Sequence, residues 1–437
     1  MSIVLLISAV LVLVVLITAV KLHPFLAFLL VSISVGIATN MEVGKIIGSI
    51  QKGMGDIMGA LLVILIVGAM LGKLVADSGA ANKIADSLIQ AFGTKRIQWA
   101  LVSTAFIVGI PLFYGVGFVL LVPLVITIAE KYKIPAVYLG LPTLAALSVT
   151  HGYLPPHPSP VALADQFHAD LGKTLLYGFL IAIPAIIIAG PMFSVTLKKY
   201  TSRPIAVFTN HAFENKKLPS LFFSMLAAFL PVLLIALDTV TKIVYPEKNT
   251  ITILIHTIGE PSIAMLISLL IALYTLGIRQ GKNIASVMKP MGEAIKDISS
   301  ILLIIAGAGA LKQILSDSGI SNDLIRPLSG LAIHPLLLAW SISAIIRVSI
   351  GSATVAGLTT AGIVAPLIAS TGVNPSLMVL ATGAGSLMFS HVNDPGFWMF
   401  KEYFNLSVKE TIKTWSMMET IVSLIGLIGV FIINSFL

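Results

Sequence analysis

Apolar residues in this chain fall in long blocks, without the strict alternation of a half-buried strand or the one-sided stripe of a surface helix. The first block, Ser2–Val20, spans 19 residues, close to the roughly 20 that a helix needs to cross a bilayer. No basic stretch precedes it and no Ala-x-Ala-like site follows it, so it reads as a retained transmembrane helix rather than a leader. Further blocks lie at about Pro24–Thr39, Ile57–Ala76, Ile97–Ile110, Val116–Ala129, Pro135–Thr150 and Thr174–Leu197. After a polar segment they resume at Leu218–Ile243, Pro261–Ile278, Ile298–Leu315, Pro335–Ile346, Val355–Ser370, Pro375–Ser390 and Trp415–Leu437. Several are shorter than a full span and are broken by Gly, Pro, Ser or Thr, most clearly at Gly109–Gly117 and Ile350–Thr354. Irregular backbone at membrane depth is tolerated only where protein buries it or a wet cavity runs past it. The pattern therefore predicts an all-α integral membrane protein whose broken segments line a substrate path.

Composition agrees. The chain of 437 residues is 57% hydrophobic and 11% charged, where a soluble domain carries about 25% charge. The excess of 27 basic over 19 acidic residues comes without a basic helix or an aromatic–basic patch, which excludes a nucleic-acid partner. Basic loops on the cytoplasmic face explain it, with membrane lipid as the solvent. The absence of cysteine rules out disulfides, thiolate chemistry and cysteine-ligated metal. No GxxxxGK[ST], HExxH or GxSxG motif occurs, so the sequence offers no nucleotide site, no metal, no cofactor and no hydrolase signature.

The polar segment Lys198–Lys217 divides the chain into halves that repeat one another. Asp77-Ser78-Gly79 followed by Asn82 recurs as Asp317-Ser318-Gly319 followed by Asn322, an offset of 240. The same offset pairs Pro135 with Pro375, His151 with His391 and Pro155 with Pro395, and lays Pro24–Thr39 on Ala264–Arg279. Loop charges give the relative orientation. Lys198, Lys199, Arg203, Lys216 and Lys217 face only Glu214, and residues 279–297 carry Arg279, Lys282, Lys289 and Lys296 against Glu293 and Asp297. The turn around Pro246, with Glu247 and Lys248, is neutral. So is the repeat partner of 279–297, residues 39–57, with Glu42 and Asp56 against Lys45 and Lys52. Conversely Lys83, Lys95 and Arg96 outnumber Asp86 in 80–96, whereas 320–336 balance Arg326 with Asp323. Basic loops in one half answer neutral loops in the other, as inverted-topology repeats require. The expected organisation is an N-terminal helix at 1–20, a first inverted repeat at 21–197, a cytoplasmic linker plus connecting helix at 198–259, and a second inverted repeat at 260–437.

Four constellations carry candidate chemistry. Arg347-Val348-Ser349-Ile350-Gly351-Ser352-Ala353-Thr354 sets a cation and three hydroxyls beside a glycine break. An intramembrane guanidinium is costly and so usually functional, and exposed amides at a helix break suit an anion. The competing reading is small-residue packing, with Arg347 neutralised by a protein carboxylate. Asn393 and Asp394, in Ser390-His391-Val392-Asn393-Asp394-Pro395, resist helix before proline; Asp394 or His391 suits a proton carrier, against a plain Asx turn. Thr150-His151-Gly152-Tyr153-Leu154-Pro155-Pro156-His157 is a stiff loop with His151 lining the path. The break at Phe113–Phe118, containing Tyr114, Gly115 and Gly117, suits either a substrate contact or a close helix crossing. Asp77 and Asp317 read as caps at helix ends.

These motifs resemble the gluconate permease (gluconate:proton symporter) family, in the strings Leu147–Pro158, Gly351–Ala356 and Phe389–Trp398, and the likeness extends to Gly68–Lys73 and Lys401–Leu406. The resemblance implies a multi-pass carrier of the bacterial inner membrane that imports gluconate or a related sugar acid with protons. It also implies the re-entrant hairpins and inverted repeats of the wider ion transporter superfamily, with a homodimer by analogy. Idonate, other hydroxy acids and D-serine belong to the family's range, so a D-serine or small hydroxy-acid carrier is the alternative. One departure bears on coupling: the family resembled carries an acidic residue where this chain has Gly115, which leaves Asp394 and His391 to couple protons or makes the carrier uncoupled.

Overall fold

The computed structural model describes residues 2–112, 114–200, 218–245, 249–320 and 333–437. Phe113, the basic linker at 201–217, the turn at 246–248, and Asn322, Asp323 and Arg326 lie outside the described residues. All regular elements described are helical. Eight helices among the described residues are long and apolar enough to cross a membrane. Their outer faces expose large apolar side chains such as Leu180 (63%), Ile345 (67%) and Ile251 (69%), which water would not tolerate in this number and lipid solvates.

The first half opens with α1 (Ser2–Thr18) and α2 (Pro24–Ala38), followed by the 35-residue α3 (Val43–Asp77) and α4 (Ala80–Phe92). A hairpin comes next, α5 (Ile97–Gly109) and α6 (Tyr114–Tyr132), then the broken pair α7 (Ala136–Tyr153) and α8 (Pro158–Gln166), and α9 (Leu171–Ile187). Helices α10 (Leu221–Val244) and α11 (Thr250–Gly259) lead to the second half. There α12 (Pro261–Ala272) precedes the 34-residue α13 (Ile284–Asp317), the hairpin α14 (Pro335–Ile350) and α15 (Ala353–Thr371), and the broken pair α16 (Pro375–Gly385) and α17 (Pro395–Tyr403). A short α18 (Val408–Thr411) passes through a π turn, Ile412–Ser416, into α19 (Met417–Asn434).

The element bounds repeat. Helices α3 and α13 end at Asp77 and Asp317, and the hairpins and broken helices begin within two residues of the 240 offset. Beyond the breaks the offset falls to 237: Pro158 and Pro395 both open a helix, after His157 and Asp394 as N-caps. The constant-offset pairing of Pro155 with Pro395 and His151 with His391 therefore lapses. His151 lies inside α7 while His391 lies in an unwound stretch, because the first break covers 154–157 and the second 386–394.

Two glycine contacts fix the interior. A Cβ on Gly53 of α3 would stand 2.3 Å from the Gly309 carbonyl oxygen of α13, and one on Gly383 of α16 would stand 2.4 Å from that of Gly152 on α7. Small residues let membrane helices approach backbone to backbone where no hydrophobic force draws them together. Asp77 and Asp317 do not cap the turns they begin. Each is the last residue of its helix, closed by Gly79 and Gly319 in the left-handed region. Asp77 pairs with Lys73 at 3.3 Å, and Asp317 accepts hydrogen bonds from Ser49 and Gln313.

Candidate functional site

Each hairpin turn is held by the helix break of its own half. In the second half α14 ends at Gly351, whose φ of +83° only glycine adopts at little cost. A Cβ there would also lie 2.3 Å from the Asn393 carbonyl oxygen. The last carbonyls of a helix have no partner of their own. Here the Asn393 amide donates to Val348 O at 2.8 Å and to Ser349 O at 3.3 Å, and a His391 ring nitrogen meets Val348 O at 2.9 Å. The first half does the same with another residue: His157 reaches Gly109 O, the end of α5, at 2.7 Å.

Asp394 organises the second break. Preceding Pro395, it takes an extended conformation (φ −108°, ψ 127°). One carboxylate oxygen accepts from the Gly396 N–H, the other from both the Arg347 guanidinium and the Ser390 hydroxyl. Arg347 is 5% exposed, and its Nε has no partner. Ser390 in turn accepts from the Trp415 indole N–H.

The two halves meet at Tyr114, the first residue of α6. Its ring lies about 6 Å from those of His151, Phe118 and Trp415. Its hydroxyl is buried without a hydrogen bond, as are His151 Nδ1 and Asn393 Oδ1. One further group belongs here. Glu419 of α19 is 2% exposed; its Oε1 accepts from the Ser148 hydroxyl of α7 and its Oε2 has no partner. Arg347 and Asp394 act on it electrostatically.

The structure thus brings together Tyr114, His151, Arg347 and Asp394, with Asn393 and His391 bracing the adjoining turn. The glycines Gly115 and Gly117 lie in the first turn of α6 rather than in the break, which among the described residues covers 110–112. Gly117 lets Leu147 approach to 3.0 Å of its would-be Cβ, whereas nothing lies within 4 Å of one on Gly115. Ser349 donates back to Ile345 O on an exposed face, and Ser352 caps α15 through the Val355 N–H. Thr354 stands partly exposed in the first turn of α15. Glu419 is the residue that the block pattern hides, since it is one acid inside the apolar stretch Trp415–Leu437. An intramembrane carboxyl is itself the signal. No group of three or more His, Asp or Glu among the described residues could hold a metal ion.

Residues 1–436 match the family model described as GntP family permease. The chain is 48% identical to the Gnt-II system L-idonate transporter of Escherichia coli (strain K12), over the whole of both chains. It is 49% identical to a high-affinity gluconate transporter of the same organism, over 95% of each chain. It is 46% identical to the gluconate permease of Bacillus subtilis (strain 168), over 94% of each. Among solved structures, the YdaH transporter of Alcanivorax borkumensis, described as having an unusual topology, is similar with a TM-score of 0.67 at 15% identity. That match covers 95% of this chain and 98% of the other and concerns the fold alone.

Proposed function

The chain belongs to the GntP family of permeases, a polytopic membrane transporter and not an enzyme, and from that premise we propose that it imports gluconate or a related monoanionic sugar acid together with protons. The observation that carries the reading is Arg347: a buried guanidinium, tied on one side to Asp394, with its Nε left unpartnered beside a hairpin turn. A carboxylate approaching that turn finds a cation already desolvated and aimed, which saves the cost of orienting it on binding. The positive ends of α15 and α17 begin at the same turn and favour an anion. Hydroxyls of the sugar acid would meet Thr354 and the Tyr114 hydroxyl, together with Asn393 Oδ1 and His151 Nδ1, which are buried without a hydrogen-bond partner. Ser349 and Ser352 contribute through the backbone they shape.

A zwitterion such as D-serine would need an anionic group free for its ammonium. Asp394, the acid first expected in that role, is engaged by three donors, so the zwitterion reading would have to place the ammonium on the unpartnered Oε2 of Glu419. The reading includes proton symport, with Asp394 and His391 as its sequence-derived candidates, in the inner membrane. The paired repeats of opposite orientation and a homodimeric assembly belong to the same proposal.

Arg347→Lys is the test of the binding role. It keeps the charge and removes the planar fork of donors. Purified R347K in detergent is expected to stay folded and to bind gluconate at least about tenfold more weakly, a loss of about 1.4 kcal/mol. Unchanged gluconate affinity by titration calorimetry would remove Arg347 from the substrate site. D-Serine displacing gluconate at comparable concentration would favour the zwitterion instead.

A further inference from the structure

We propose that the coupling proton resides on Glu419, and that Asp394 is a structural anion. This rests on the proton-coupled reading above. Asp394, His391, His151 and Glu419 stand near the hairpin turns, and their surroundings differ; His151 is buried in α7 with Nδ1 unpartnered, but a proton there would set a second cation near Arg347. Asp394 has both oxygens filled, by the Arg347 guanidinium, the Ser390 hydroxyl and the Gly396 N–H. A proton added there would have to dismantle the ion pair and the N-cap of α17. His391 sits partly exposed with its Nε2 on the Val348 carbonyl, where it finishes a helix end.

Of the two carboxyls, only Glu419 has an open place. Oε1 takes the Ser148 hydroxyl, while Oε2 is buried with no partner. It stands 11 residues into the 27-residue span Val408–Asn434, about 16 Å along it at 1.5 Å per residue, and so near mid-membrane. The titratable and charged groups acting on it are Arg347 and Asp394, with Tyr114 and Tyr153 facing it from α6 and α7. Of the other helices packed on α19, α16 carries no charged residue and the Lys173 of α9 is not among the groups acting on Glu419.

Arg347 and Asp394 cancel, so an ionised Glu419 leaves the site with one net negative charge. A monoanion bound at Arg347 would raise that to two, and a proton on Oε2 brings it back to one. Anion and proton therefore stabilise each other's binding across the site, which is the energetic requirement of symport. The proton joins Oε2 on the side where the anion enters and leaves it where the anion is released.

The experiment uses wild-type and Glu419→Gln protein in proteoliposomes, with radiolabelled gluconate and an inward gradient of one pH unit. One proton per monoanion can concentrate the substrate about tenfold. Wild type is expected to accumulate; E419Q is expected to equilibrate without accumulating while retaining gluconate counterflow. Equal proton-driven accumulation by E419Q, or its loss in Asp394→Asn with counterflow intact, would overturn the assignment. Wild type that carries gluconate without responding to the gradient would instead fail the proton-coupled reading itself. If E419Q does not fold, Glu419→Asp serves: a displaced pH profile of accumulation supports Glu419, and an unmoved profile rules it out.

Discussion

Single residues in this site differ sharply in what they tolerate, and the glycines make the contrast measurable. Gly351 turns in the left-handed region against the Asn393 carbonyl. Gly351→Ala should cost about 1–2 kcal/mol for the conformation alone, with the 2.3 Å contact in addition, and should abolish transport by pushing the second break off its hairpin. Gly115→Ala meets nothing within 4 Å on helical backbone and should fold and transport like wild type. Comparable melting temperatures for the two variants in detergent would contradict the geometry. At this scale Arg347 was legible in the sequence because an intramembrane cation is conspicuous, and so was Asp394 because it precedes proline. Its pairing with Arg347 is one of two readings the sequence leaves open, since no spacing rule connects residues 47 positions apart. Glu419 was illegible in the block pattern because one carboxyl barely lowers the hydropathy of a 23-residue stretch, and only its burial and its Ser148 contact mark it out.

Helices and their breaks came through the sequence with characteristic errors. Apolar blocks located most elements, but α4 and α11, with α8 and α17 beyond the breaks, escaped the pattern because a short or mixed helix has no long apolar run. The sequence puts broken backbone within Gly109–Gly117 with the glycine break at Phe113–Phe118; among the described residues the unwound part is 110–112. Ile110 itself keeps helical backbone (φ −58°, ψ −52°) ahead of Pro111, and of the glycines that follow it is Gly117 that packs closely, against Leu147 of α7. Such packing can be tested where α7 and α16 cross. Gly383→Val would force a side chain into the Gly152 carbonyl. It should destabilise the protein by about 1–3 kcal/mol, as overpacking does, seen as a lower melting temperature. An unchanged melting temperature would mean that this crossing is loose.

Across the whole molecule the duplication organises everything else, and its inverted sense can be tested directly because the chain has no cysteine. Glu42 and Lys282 occupy repeat-equivalent, exposed positions just before α3 and α13. Single-cysteine variants at 42 and 282 should be labelled by an impermeant maleimide from opposite faces of the membrane, with 282 on the cytoplasmic side. Labelling from one face would make the repeats parallel. Inverted repeats, as proposed, would give each half one hairpin and one broken helix whose turns gather about Tyr114, Arg347 and Glu419, and alternating access would then need only that the halves rock about the site. The central claim is that this site couples a sugar acid to a proton. Its most direct test is radiolabelled gluconate uptake into proteoliposomes containing the wild-type protein, with and without an inward proton gradient. Accumulation that collapses when the gradient is removed is the predicted result, and saturable uptake indifferent to the gradient would contradict it.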